Sequence, residues 1–164
     1  MNIFYLHHLP QIAAQMHCDK HVVKMIIESC QLLATAHHEH GNGRNVTYKA
    51  THKNHPSAIW TRGSAEQYAW VQKLAVHLCK EYTHRYGKIH KCLAMLQGEL
   101  KNPPAAIADN YRWTNPPQCM PDESKHYDTV VAYRRYYQTK DSTWARTYYR
   151  GNAQQPNWMG AAHV

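Results

Sequence analysis

Residues 10–36, PQIAAQMHCDKHVVKMIIESCQLLATA, set the architecture of this chain. Pro10 suits the first turn of a helix, and the spacing predicts one helix from there to about Ala36. At about 100° per residue, His17, Lys20, His21, Lys24, Glu28 and Gln31 fall within an arc of roughly 100°. Val22, Val23, Met25, Ile26, Ile27, Leu32 and Leu33 occupy most of the rest. A surface helix has the opposite balance, a narrow apolar stripe and a broad polar side. This helix is therefore expected to be largely buried, with its polar stripe facing a cleft, a ligand or a partner.

The remainder of the chain reads as further helices. Pro56 starts a short piece, PSAIWTR, that stops at Gly63. Ser64 with Gln67 forms a capping-box pattern. The helix that follows, AEQYAWVQKLAVHLCKEYTHRY, ends at Gly87, a residue suited to a left-handed terminus. A third helix is expected over about 88–100 and a fourth over about 127–138. Residues 101–126 contain Pro103, Pro104, Pro116, Pro117 and Pro121 and should be irregular. No alternating strand pattern, repeat or linker interrupts the sequence. The expectation is an all-α fold, a compact bundle of about four helices with irregular Pro-rich and aromatic-basic segments. A single domain spans residues 1–164 in this reading, with 150–164 a loose tail.

The chain has 164 residues and a net charge of +8, with an isoelectric point near 9.3. That balance favours polyanionic partners: DNA, RNA or nucleotides. Twelve Tyr and five Trp stand against one Phe, and polar-tipped aromatics suit base stacking. No apolar run of about 18 residues exists, so no membrane span is expected. The N-terminus lacks signal-peptide features. Five scattered cysteines without a C-x-x-C pair fit reduced thiols in a cytoplasm. Cys30 and Cys79 lie on apolar helical faces and read as small core residues.

Five constellations carry chemistry. Lys24 and Glu28 are an i,i+4 pair on the polar stripe, with His21 beside them. An amine and a carboxylate in a partly dry cleft are the parts of amine or acid–base catalysis. Asp19 falls opposite the stripe, among apolar residues, and needs a cation, with Arg62, Arg85 and Arg112 as candidates. His17 and His21 have i,i+4 metal-ligand spacing, but no third ligand can be named, and no metal or cofactor is assigned. THKNHP (Thr51–Pro56) sets His52, Lys53 and His55 before a Pro-started helix, a polar loop or an anion pocket. YRRYYQTK with Arg134, WARTYYR with Trp144, Tyr148 and Arg150, and the patch KEYTHRYGKIHK with Arg85 interleave cations and aromatics. With His17, Lys20 and Arg62 these are the candidate binding residues.

A short N-terminal segment before a helix with basic residues and a Glu, then Asn54-His55-Pro56, the helix end Glu81-Tyr82-Thr83-His84-Arg85-Tyr86-Gly87 and the Trp/Tyr-rich basic tail Trp144–Arg150, resemble in their order the pyrimidine-dimer DNA glycosylase family of the endonuclease V type, while the blocks HCDKHVVKM, THKNHP, CKEYTHRYGK and MPDE resemble related phage-encoded proteins. The resemblance implies an amine that attacks deoxyribose C1′ to form a Schiff base, assisted by a Glu. In that family the amine is the α-amino group of residue 2 after removal of Met1. Here residue 2 is Asn2, a size at which Met is usually retained, and the amine falls to Met1, Lys24 or Lys20. His21–Lys24 stands in place of the family's Arg-Glu pair, and Glu28 lies one turn on. Two functions follow as expectations. One is a DNA glycosylase/AP-lyase-like enzyme with Glu28, Lys24 and His21 as catalytic residues, acting in the cytoplasm of a host if phage-encoded. The other is a non-catalytic or nucleotide-directed protein that binds or cleaves a small nucleotide in the same cleft.

Overall fold

The computed structural model describes residues 1–140 and 147–160. It is all-α, with six helices and no strand among the described residues. They are α1 (Pro10–Met16), α2 (Asp19–Glu39), α3 (Pro56–Thr61), α4 (Ala65–Tyr86), α5 (Cys92–Gln97) and α6 (Thr129–Thr139). The local signals at α4 act as written: the Ser64 side chain accepts from the Gln67 N–H, and Gly87 closes the helix in the left-handed region at φ 67°. Asp128 caps α6 through the N–H groups of Val130 and Val131.

The single helix expected over 10–36 is instead two. His17 and Cys18 are extended, with ψ of 137° and 161°, and α2 begins at Asp19. The break persists because side chains from distant elements satisfy the backbone groups that a continuous helix would pair internally. Arg85 donates to the carbonyls of Gln15 (2.9 Å) and His17 (2.7 Å). The Tyr148 hydroxyl donates to the Met16 carbonyl at 2.7 Å. The Cys18 N–H donates to the Tyr137 hydroxyl at 2.8 Å. No local periodicity encodes such partners.

α2 and α4 pack side by side and supply most of the core: Val22, Met25, Ile26, Leu32 and Leu33 from one, Tyr68, Val71, Leu74 and Leu78 from the other. The buried N-terminal segment Ile3–Leu6 joins them. Cys30 and Cys79 are buried thiols, as expected of core residues. Residues 101–126 are irregular apart from single turns at Ala105–Ile107 and Asp122–Ser124. The expected helix over 88–100 is limited to Cys92–Gln97, because the chain turns at Gly98 (φ −111°, ψ −107°).

The C-terminal segment is not loose where it is described. Tyr148 and Met159 are buried, and Gly151 lies on α4. A Cβ at Gly151 would come 2.7 Å from the His84 carbonyl oxygen, and its φ of +58° also favours glycine.

Asp19 has the predicted kind of partner. Its carboxylate meets the Arg85 guanidinium at 3.2 Å, with both side chains almost fully buried. The same carboxylate accepts from the Tyr149 N–H at 3.2 Å. Arg85 also donates to Glu81 at 3.0 Å. Removing one member leaves the other charge buried and uncompensated. Asp19→Ala is expected to lower unfolding free energy by about 3–5 kcal/mol. Urea denaturation of the variant against the wild type measures this; a loss within the range of an ordinary surface change would show that the pair is not structural.

Candidate active site

The polar stripe of α2 divides once it is folded. Lys20 and Lys24 are exposed on its outer face, Glu28 is half-buried, and His21 is buried. His17 lies in the helix break and is fully buried, so the H-x-x-x-H pair does not share a helical face. Among the described residues no group of three or more His, Cys, Asp or Glu side chains gathers as a metal site would require.

The N-terminal segment closes over Glu28. The main-chain N–H of Asn2 donates to Glu28 Oε2 at 3.3 Å. Lys24 Nζ stands 3.6 Å from the other carboxylate oxygen, Oε1. One carboxylate thus faces two nitrogens. Asn2 is fixed by its side chain: Nδ2 donates to the Cys119 carbonyl at 3.0 Å, and Oδ1 accepts from the Ile3 N–H at 2.8 Å. The buried Tyr133 hydroxyl lies 3.0 Å from Asn2 Oδ1 and 2.5 Å from the Pro117 carbonyl. Burial, with the nearby Cys119, raises the Tyr133 phenol well above its usual pKa, so it stays a donor.

His55 borders the same site. It caps α3, and its Nδ1 accepts from the Ser57 N–H at 3.1 Å, which leaves the ring proton on Nε2. Ser57 Oγ is 3.7 Å from Cys119 Sγ, so a chain of contacts runs from His55 through Ser57 and Cys119 to Asn2. Partial burial and the nearby N-terminal charge lower the His55 pKa, opposed by Glu28. The ring is therefore neutral at pH 7.

His21 serves as packing behind the site. Phe4 stacks on it at 4.9 Å, and its Nδ1 lies 3.0 Å from the Tyr137 hydroxyl. Burial first, then the charges of His17, Lys140 and Lys24, push its pKa down to about 3. His17 is held down at about 4, again mainly by burial, with Nδ1–H donating to the Ala13 carbonyl at 2.7 Å.

The other candidates scatter. His52 and Lys53 are exposed, and Lys53 reaches Glu39 at 4.0 Å. Arg62 donates to the Lys53 carbonyl and so braces that loop. Arg85 and Tyr148 are buried in the helix break. Arg134 donates to the Leu6 carbonyl and lies over the Trp158 ring. Arg150 is exposed over Tyr86 at 4.6 Å. Trp144 lies outside the described residues. The structure thus joins Lys24, Glu28 and His55, and adds Asn2, Tyr133, Ser57 and the Cys119 carbonyl. Only the family resemblance pointed to residue 2; nothing local marked the other three.

The profile of the pyrimidine dimer DNA glycosylase family matches residues 1–95. This chain belongs to that family. The match covers Asn2, Lys24, Glu28 and His55, and membership makes DNA the substrate class. No curated protein and no solved structure matches the chain. No described helix is long and apolar enough to cross a membrane.

The buried histidines His17 and His21 set a pH dependence. Both are neutral when folded, and in the unfolded chain they titrate near 6.5. Between about pH 6.5 and 4 the unfolded state binds more protons, so stability falls as pH falls through that window. His17 alone accounts for about 2 kcal/mol at pH 5. His17→Asn, which keeps a donor for the Ala13 carbonyl, is expected to flatten the acid limb of urea midpoints measured from pH 7 to 5.

Proposed function

We propose that the protein is a DNA glycosylase with lyase activity that works through an amine held at Glu28. The observation that carries this reading is the Asn2 nitrogen, 3.3 Å from Glu28 Oε2, with Lys24 on the other oxygen. Against the usual retention of Met before a residue of this size, the reading requires that Met1 is removed, which makes that nitrogen a primary amine; the mass of the trapped N-terminal peptide reads this directly. The Asn2 nitrogen is the better-placed nucleophile, because Asn2 is pinned by three hydrogen bonds while the Lys24 side chain is 61% exposed. A pre-positioned nucleophile spends less entropy on attack.

In this mechanism the amine attacks C1′ of a damaged nucleotide, and the bond from C1′ to the base breaks. The departing base leaves with the bonding pair and takes up a proton. Glu28 accepts a proton from the attached amine and passes it to O4′ as the C1′–O4′ bond breaks, so that the sugar ring opens and the protonated Schiff base forms. The same carboxylate then takes a C2′ proton, and the 3′ phosphate leaves by β-elimination. His55, neutral with its proton on Nε2, is a donor at the edge of the site. The extruded base is the expected target, since a reacting nucleotide must leave the stack. Lys20 and Lys24 flank the carboxylate as phosphate contacts.

Borohydride trapping on DNA carrying a pyrimidine dimer or an abasic site tests the reading. A covalent adduct is expected with the wild type, mapping by mass spectrometry to the N-terminal peptide. Lys24→Ala should retain it. Glu28→Gln should slow its formation by about 10²–10⁴-fold. Failure to trap any adduct overturns the Schiff-base mechanism. Specific binding of a mononucleotide without DNA binding would favour the nucleotide-directed function instead.

A further inference from the structure

The patch Lys80–Lys91 plays no part in the site at Glu28, yet it shapes the second side of the same helix. At about 100° per residue, Ile27 lies roughly 100° around α2 from Glu28, with Lys20, Lys24 and Gln31 between them. Ile27 is exposed and forms one wall of a concavity of about 450 Å³. Tyr48 and Tyr82 form the other walls, and the turn after α4 supplies Lys88, Ile89 and Lys91 at its mouth. Tyr82 is itself braced by stacking on Tyr86 at 5.1 Å.

Three features point to a ligand. No carboxylate is among the described lining residues, while both lysines are exposed. Ile89 is 75% exposed between cations, so an apolar side chain is presented where solvation would favour a polar one. Apart from His90 and Cys92 the walls are aromatic and aliphatic, a surface suited to sugar and base rather than to ions alone. A chain of net charge +8 in a DNA-acting family narrows the polyanion to DNA.

We propose that this concavity is a second DNA-contact site, which grips the sugar–phosphate backbone of one strand while the segment over Glu28 engages the damaged nucleotide. Lys88 and Lys91 pair with consecutive phosphates, and Ile27, Ile89 and Tyr82 pack against the deoxyribose between them. The α2 ridge of Lys20 and Lys24 then lies between the two contacts, so that the DNA straddles the helix. This inference rests on the family's DNA substrate but not on the chemistry at Glu28.

Binding of an undamaged duplex oligonucleotide, measured across a salt series, tests it without any catalytic step. Lys88→Ala with Lys91→Ala should weaken binding about tenfold or more at low salt and make the log–log salt slope shallower by about 1.8, which corresponds to two lost phosphate contacts. Ile89→Ser should weaken binding while leaving the slope unchanged. Lys73→Ala with Lys101→Ala, an equal loss of charge elsewhere, should change the slope much less. An unaltered slope in the Lys88/Lys91 variant, or an equal change in the Lys73/Lys101 control, overturns the site. Borohydride trapping reads the Glu28 chemistry separately, so failure of one proposal is distinguishable from failure of the other.

Discussion

The buried guanidinium of Arg85 holds the break between α1 and α2 open. It donates to the Gln15 and His17 carbonyls, meets the Asp19 carboxylate and pairs with Glu81 one turn back on its own helix. A planar group with five donors suits this task, since a lysine could not serve several fixed acceptors in the same plane. A buried charge pair is not by itself a source of great stability. Its value here is specificity: each acceptor sits where only a broken helix would place it.

The break has consequences on both sides. It frees the Cys18 N–H for Tyr137, which joins α6 to the bundle. It exposes the Asp19 N–H to Thr147 and its carboxylate to Tyr149, so the C-terminal segment is tied to the same point. α6 in turn brings Tyr133 to Asn2 and the Pro117 carbonyl. The N-terminal segment, caught between α2 and α6, is thereby laid across Glu28. A structural ion pair at one end of α2 and a candidate catalytic carboxylate about two and a half turns along are linked through these packed elements.

The short-range features were legible because their causes are local. The Ser64 cap, the Gly87 terminus, the Pro56 start and the irregular Pro-rich stretch all depend on residues within a few positions. The Lys24–Glu28 pair follows from one turn of helix, and the need of Asp19 for an arginine follows from its apolar surroundings. The reading of His17 and His21 as stripe residues failed for the opposite reason. Periodicity treats every residue as part of one regular helix, whereas His17 lies in extended backbone and His21 is covered by Phe4 and Tyr137 from outside the helix. Arg85 and Tyr148, read as cationic and stacking surface, are consumed inside by the same long-range packing.

The sequence by itself determined the helical class, the basic character and the pairing of an amine with a carboxylate on α2, since composition and 3.6-residue spacing act within single segments. The order of its motifs also carried the family. Tertiary structure alone decided that the Asn2 N–H joins Lys24 at the Glu28 carboxylate. That meeting depends on Cys119 and Tyr133, each more than a hundred positions from Asn2 along the chain, and is set by packing and hydrogen bonding across elements. The site at Glu28 therefore exists only once α2, α6 and the N-terminal segment have closed on one another.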